Sequence, residues 1–103
     1  MIEIAINNTT RRVFKEIVAW RDNATTPLIR DGELCICATH AQLAESLTST
    51  TATVQRHLRN LRRLGVIRVK RGVHPYKTGI LSASFIFVDE EKAFEVGLTK
   101  NAN

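Results

Sequence analysis

The chain has 103 residues, 44% of them apolar and 24% charged, a composition that predicts one small globular domain spanning residues 1–103. No apolar run approaches the roughly 20 residues of a membrane-spanning helix, and the N-terminus lacks the residue succession of a signal peptide. We therefore expect a cytoplasmic protein with no membrane partner, and the formal charge of +5 favours an anionic partner.

The basic residues are concentrated in one part of the chain. Residues 46–88 contain eight Lys or Arg residues and no Asp or Glu, whereas the remainder contains seven basic and ten acidic residues. A surface that is merely solvated usually mixes charges of both signs. The segment without acids is therefore better explained as an electrostatic footprint for nucleic acid.

In chain order, the first predicted elements are a strand, a helix and a loop. Ile2, Ile4 and Ile6 alternate with more polar or smaller residues, which is the period of a half-buried strand. A core helix is predicted from Thr10 to Arg21, because apolar residues recur there at helical spacing. The run 23–32, with its proline and an Asp-Gly pair, is predicted to be a loop.

A short strand and a capped helix follow. The strand is predicted at Glu33–Ala38, and the next helix begins at Thr39 and ends near Leu47. Gln42 lies three residues after Thr39, which is the spacing of a capping box. The four residues after Leu47 are predicted to form a tight turn, in which Thr50 is placed to cap another helix.

The helix predicted at 50–64 has two different faces. Val54, Leu58 and Leu61 share one side of a 3.6-residue period and are expected to be buried. At about 100° per residue, the opposite side gathers a basic cluster within about 60°. That cluster consists of Ala52, Arg56, Arg59 and Arg63. Gly65 is expected to end the helix in a left-handed conformation.

The C-terminal part predicts a hairpin and a short helix. Val66–Arg71 and Ile80–Val88 are expected to be strands, joined by a long cationic loop with glycines at both ends. Residues 85–88 are apolar at every position, so we expect cover on both faces of that strand. Asp89 is placed to cap a short helix that ends near Gly97.

The order and spacing of these elements resemble a known family. The motif positions are Leu43-Ala44, Leu47, Thr50, Thr53-Val54, Leu58, Leu61 and Gly65-Val66-Ile67. Over about 25 residues, this pattern resembles the motif of GntR-type and MarR-type bacterial regulators, which usually have a turn glycine where Thr48 stands here. The resemblance implies an α+β winged helix-turn-helix fold, with the helix-turn-helix at 39–64 and the wing hairpin at 66–88. We expect a three-helix core with a small antiparallel sheet, to which the N-terminal strand and the C-terminal helix are added.

The resemblance makes the helix at 50–64 a recognition helix for the major groove of double-stranded DNA. Arginine can bond guanine twice and glutamine can bond adenine twice, so Arg56, Gln55 and Arg59 are the candidates for reading bases. Arg62 and Arg63 are expected to meet backbone phosphate, and the wing cations to meet phosphates or the adjacent minor groove. The predicted DNA-binding residues are Thr39, Thr50, Thr51, Ala52, Thr53, Gln55, Arg56, Arg59, Arg63, Lys70, Arg71, His74 and Lys77.

The sequence gives weaker support for metal binding, disulfide formation or catalysis than for DNA binding. Cys35, Cys37 and His40 could suggest a metal, but a structural zinc site needs four ligands and no second pair is evident. The two cysteines point to one face of a strand, which is a poor geometry for a mutual disulfide. His57 is expected to be a hydrogen-bonded packing residue. No nucleophile set, phosphate loop or carboxylate pair stands out, so we expect neither an enzyme nor a cofactor.

The sequence therefore predicts a small, nucleoid-associated transcriptional repressor that acts as a homodimer, with no small-molecule effector evident. The dimer interface is expected at the chain ends, where Ile2, Ile4, Ile6 and the run 85–88 offer apolar surface. A monomer remains the alternative, with the N-terminal strand joined to its own sheet. Two other functions stay open, a plasmid or phage replication or partition protein and a winged helix that binds only protein.

Overall fold

The structure is a computed structural model that describes residues 8–25, 27–73 and 82–98. The predicted strand at Ile2, Ile4 and Ile6 and the wing residues His74 and Lys77 lie outside these ranges. The elements in chain order are α1 (Asn8–Asp22), β1 (Leu28–Arg30), β2 (Glu33–Ala38), α2 (His40–Leu47), α3 (Thr51–Arg63), β3 (Ile67–Val73), β4 (Ser82–Val88) and α4 (Glu90–Glu95). Within the described ranges, no helix has the length and apolar character needed to cross a membrane.

The three long helices pack around one core. α3 contacts α1, α2 and β3, so it is the central helix of the domain. Val54 and Leu61 on α3 are fully buried, as is Ile17 on α1, and burying each such side chain stabilises the fold by about 1.5–3 kcal/mol. Arg12 on α1 also donates to the carbonyl oxygen of Leu47 at the end of α2, over 2.9 Å. The predicted inward face of the helix at 50–64 is confirmed.

The sheet has four antiparallel strands in the order β1-β2-β4-β3. The prediction of a loop over 23–32 was wrong at Leu28–Arg30, which pairs with Glu33–Cys35. The reason is the turn between them: Asp31 and Gly32 have φ angles of 54° and 79°, the two left-handed residues of a tight hairpin turn. An Asp-Gly pair is a strong hairpin signal, and it converts the end of the expected loop into an edge strand.

The two faces of the sheet bury different clusters. Ile36 and Ile86 face the helices and belong to the main core. Phe85 and Phe87 face the other way and form a second cluster with Cys35, where they are 1% and 3% exposed. The expectation that 85–88 is covered on both faces is confirmed. The cover comes from this chain, so these residues leave no apolar excess for a second copy to bury.

The guanidinium groups of two arginines complete the cover of this outer cluster. Arg30 lies 4.2 Å from the ring centroid of Phe85, and Arg68 lies 5.0 Å from that of Phe87. The ring of Phe85 also packs on Gly72, where an added Cβ would lie 2.6 Å from Cε2. A cation over an aromatic face is favourable while remaining partly hydrated, so apolar rings and charged groups share this surface.

Local signals in the sequence correctly predicted where the helices begin and end. Thr39 and Gln42 form the capping box, with hydrogen bonds of 3.0 and 2.9 Å. Thr50 Oγ1 accepts from the backbone N–H of Thr53 over 3.2 Å, and Gly65, two residues after the end of α3, has a φ angle of 77°. Asp89 caps α4 in the same way through the N–H of Lys92.

The turn between α2 and α3 contains an unusual residue. Thr48 has a φ angle of 53° and a ψ angle of 51°, a left-handed conformation that a β-branched residue rarely adopts. Its N–H and that of Ser49 donate to the carbonyl oxygens of Glu45 and Ala44. Thr48 therefore adopts the left-handed conformation that a glycine has in the related motifs. This conformation is unfavourable for a residue with a Cβ atom.

Candidate nucleic-acid interface

The exposed face of α3 is a surface of unneutralised positive charge. Ala52, Arg56, Arg59 and Arg63 are exposed, opposite the buried Val54. Among the described residues, no arginine of α3 forms an ion pair, whereas Arg21 on α1 is paired with both Asp22 and Glu90. Free guanidinium groups on one side of a rigid helix can bind an anionic surface without first breaking an internal contact.

The start of α3 presents backbone and hydroxyl groups beside this surface. Thr51 and Ala52 are exposed in the first turn, where backbone N–H groups favour an anion. Thr50 Oγ1 serves as the cap and donates its own proton to Thr53 Oγ1 over 3.0 Å. Thr53 therefore keeps its own hydroxyl proton available for an outside acceptor. At the start of α2, Thr39 Oγ1 likewise accepts from Gln42, so both predicted threonine caps are engaged within the fold.

Gln55, a predicted base reader, is held by a residue of the preceding helix. Its Nε2 lies 3.0 Å from Nδ1 of His40, the first residue of α2. Burial, and then the charge of Arg71, lower the pKa of His40 below its usual value of 6.5, so the ring is neutral at pH 7. Nδ1 can then accept a hydrogen bond from the N–H of the Gln55 amide. The oxygen of that amide takes no part in this contact.

A groove of about 270 Å³ lies between α3 and the sheet. Its polar lining consists of His40, Gln55, Arg59, Arg62, Arg71 and Ser84. The structure thus brings three predicted site residues, Gln55, Arg59 and Arg71, into one cleft between the recognition helix and the wing. Arg62, which was expected to meet phosphate, also lines the groove, whereas His40 and Ser84 were not predicted to take part.

Adjacent cations on β3 point to opposite faces of the sheet. Arg71 lines the groove beside α3, whereas Lys70 lies on the outer face, where its Nζ is 2.8 Å from Asp31 Oδ2. That hydrogen bond, and the charge of Lys70, lower the pKa of Asp31. Arg68 lies on the same outer face and is paired with Glu33. The structure therefore separates Lys70 from the other predicted site residues that it describes.

The cysteines and the histidine considered for metal binding or catalysis lie in environments typical of packing residues. Cys35 and Cys37 are free thiols on one face of β2, and burial raises the pKa of both. No group of three or more His, Cys, Asp or Glu residues within the described ranges could hold a metal ion. His57 is 2% exposed, and its Nδ1 is 3.0 Å from Thr10 Oγ1, which confirms that it is a hydrogen-bonded packing residue.

A second cleft, of about 840 Å³, lies between α1 and α4 on another side of the domain. Phe14, Val18 and Leu98 supply its apolar lining, and Arg11 and Lys15 supply positive charge. Arg11 already donates to the carbonyl oxygen of Gly97 over 2.6 Å. This cleft does not include any of the predicted site residues.

The capped pair α2 and α3, with the antiparallel β3 and β4 beside it, defines a winged helix-turn-helix DNA-binding domain. The model of the Crp-like helix-turn-helix domain matches residues 11–77, and the chain belongs to that family. Comparison with curated proteins and with solved structures gave no match. The predicted fold class is confirmed, whereas the finer resemblance to GntR-type and MarR-type regulators is not.

Family membership also gives the general function. A Crp-like helix-turn-helix is the DNA-binding domain of transcription regulators, so double-stranded DNA is the partner of this chain. The Crp-like domain is a binding domain rather than a catalytic one. The residues that would contact the DNA are proposed from the geometry of α3 and the groove.

Proposed function

We propose that this protein is a transcriptional repressor that lays α3 in the major groove of a specific DNA site, with β3 and β4 beside the adjoining backbone. The observation that carries this proposal is the exposed arginine face of α3, whose guanidinium groups have no ionic partner among the described residues. A B-DNA major groove is wide enough to admit one α-helix.

The contacts divide by position on α3. Gln55, Arg56 and Arg59 lie in its N-terminal and central turns and would read base edges. Thr51, Ala52 and Thr53 lie at its start, close to the bases or the phosphates that flank them. Arg63 in the last turn would meet backbone phosphate.

The elements around α3 would contact only the backbone or the minor groove. Arg71 faces the same side as α3 and is the wing cation best placed to meet a phosphate. The predicted contacts of His74 and Lys77 remain proposals for the wing tip. Thr39 and Thr50 would act as helix caps whose neighbouring backbone N–H groups face the DNA.

Repression requires only that the protein occupy its DNA site and keep other proteins from binding there. A DNA-binding surface alone is sufficient for this. Such a protein would associate with the nucleoid. We also propose a homodimer, because one recognition helix spans few base pairs and two-fold pairs read half-sites about one helical turn apart. At micromolar concentration, sedimentation should give a species of about 23 kDa rather than the 11.6 kDa of one chain. A monomer with and without DNA would contradict this part of the proposal.

The salt dependence of binding to a duplex tests DNA as the partner. If about five phosphates are neutralised, log K should fall with log salt with a slope near −4 to −5. The control is a variant in which Arg63, Arg71 and Lys77, the proposed phosphate ligands, are all changed to Gln, which should make the slope about 0.9 less negative for each phosphate contact removed. A slope near zero in the unaltered protein would contradict the proposal.

Selection from a random pool of duplexes tests the type of site. Enrichment of an inverted repeat supports a dimeric repressor. Tandem repeats would instead support a replication or partition protein. The absence of enrichment, with the steep salt slope retained, would mean that binding is not sequence-specific.

A further inference from the structure

We propose that the groove between α3 and β3 is a seat for a single phosphodiester of the bound DNA, held jointly by Arg62 of α3 and Arg71 of β3. This inference rests on the proposed function and makes one part of it specific. It goes beyond the expectation that Arg62 meets phosphate, because it makes Arg62 and Arg71 ligands of the same phosphate, which positions the helix and the wing on one strand of DNA.

The first support is that two rigid elements converge on the groove with the same charge. Arg59 and Arg62 come from α3 and Arg71 from β3, and no carboxylate lines the groove. Within the described ranges none of the three has an ion pair. Like charges held together without a counter-charge cost free energy, which a bound anion would remove.

The second support is a hydroxyl group in the floor of the groove. Ser84 on β4 lies opposite Ala38 on β2 and Arg71 on β3, on the sheet face that looks toward α3. As a whole residue it is only 2% exposed, and it lines the groove. Its hydroxyl can donate a hydrogen bond to an oxygen of an anion bound there.

The third support is the shape of the donor set. A guanidinium group offers a planar fork of N–H donors that matches two oxygens of a phosphate. Two such forks from different elements, with a hydroxyl below them, can surround the two free oxygens of one phosphodiester. The groove opens between the recognition helix and the wing, where the DNA backbone would pass as it leaves the major groove.

The test compares two cations on β3 that lie on opposite faces of the sheet. Arg71→Gln removes a ligand of the seat, whereas Arg68→Gln removes a cation of the outer face that is paired with Glu33. Arg71→Gln should weaken binding to the selected duplex about tenfold and make the salt slope about 0.9 less negative. Arg68→Gln should leave both quantities unchanged, and thermal unfolding of both variants verifies the fold.

Duplexes that carry one methylphosphonate at each backbone position in turn then show whether the seat is shared. One linkage should abolish the effect of Arg71→Gln, and the same linkage should abolish the effect of Arg62→Gln. If the two variants respond to different linkages, or if Arg68→Gln weakens binding as much as Arg71→Gln, the shared seat is overturned while DNA binding stands. If the unaltered protein binds no duplex at all, the proposed function fails and the seat fails with it.

A last experiment tests whether the anion bound in the groove is a DNA phosphate or a free phosphate. Inorganic phosphate is titrated into the protein without DNA at constant ionic strength, and the arginine Nε–H signals are followed by NMR. We expect no saturation below about 1 mM, because one small anion gains little from the rest of the surface. Saturation below that concentration, lost in Arg71→Gln, would overturn the assignment to DNA in favour of a free phosphorylated ligand.

Discussion

Gln55 on the recognition helix is held by a hydrogen bond of 3.0 Å between its Nε2 and Nδ1 of His40, the first residue of the preceding helix. The two residues are 15 positions apart in the sequence and belong to the two halves of the helix-turn-helix. A glutamine fixed in one rotamer loses less conformational entropy when it binds a base than one that moves freely.

The first prediction is that His40 and Gln55 are coupled in DNA binding. His40→Ala should weaken binding to the selected site, and Gln55→Ala should do the same. The double variant should lose less than the sum, with a coupling of about 0.5–1.5 kcal/mol for a hydrogen bond between neutral groups. Pairing His40→Ala with Arg56→Ala is the control and should be additive. Additive losses for His40 and Gln55 would show that the contact does not serve recognition.

Arg56 provides the second prediction, because it is exposed near the middle of the basic face. Arg56→Ala should cost about 1–3 kcal/mol on the selected site and relax the preference at one base pair, since a bidentate contact to guanine is lost. Lys77→Ala in the wing should weaken binding to all sequences alike. Competition between matched and unmatched duplexes measures both effects. Equal losses on both duplexes for Arg56→Ala would place base recognition elsewhere.

The third prediction concerns the strained turn. Thr48→Gly should raise the free energy of unfolding by about 1 kcal/mol, because glycine adopts a φ angle of 53° without the penalty of a Cβ. Ser49→Gly, one position later, is the matched control and should not stabilise the protein, since glycine only adds freedom to the unfolded chain there. Urea unfolding measures both variants. A Thr48→Gly protein that is less stable would mean that the threonine gains a compensating contact.

The buried His57 gives the fourth prediction, a loss of stability in acid. Burial, and then the charge of Arg56, lower its pKa in the folded state below the value of 6.5, so between these two pKa values the unfolded chain binds the extra proton. Stability is therefore complete above pH 6.5 and falls as the pH drops toward the folded pKa, by at most about 1.4 kcal/mol per pH unit for one group.

The comparison for His57 uses two single variants. His57→Gln should flatten the fall in the urea midpoint between pH 7.5 and 5, and the slope that remains belongs in part to His40, whose pKa is lowered as well. His40→Gln should remove that part and leave the contribution of His57. If His57→Gln retains the full slope, the imidazole is not the group that titrates.

The sequence predicted best those features that depend on residues close together in the chain. The helix boundaries are examples, because a cap is formed by groups three or four residues apart. The starts of three helices were marked by Thr39 with Gln42, Thr50 and Asp89, and the C-terminus of α3 was marked by Gly65. The recognition helix was also predicted, since burial of Val54, Leu58 and Leu61 follows from helical spacing alone.

The sequence failed where the outcome depends on which strands become neighbours. Strand β1 was missed because a three-residue strand has little periodicity, although Asp31 and Gly32 carried a hairpin signal. The pairing of Lys70 with Asp31 spans 39 residues and requires the strand order β1-β2-β4-β3. Strand alternation places Lys70 and Arg71 on opposite faces, but no local pattern could show that Asp31 would neutralise Lys70.

The two acids of the β1–β2 hairpin determine how the protein approaches a polyanion. Asp31 and Glu33 neutralise Lys70 and Arg68 on the outer face, while the cations on the α3 side keep their charge. Among the described residues, the cations of β3 are therefore neutralised on the outer face and free on the α3 side, an asymmetry that favours approach of a duplex from the α3 side. We expect encounters through the outer face of β3 to be shorter-lived than those through α3.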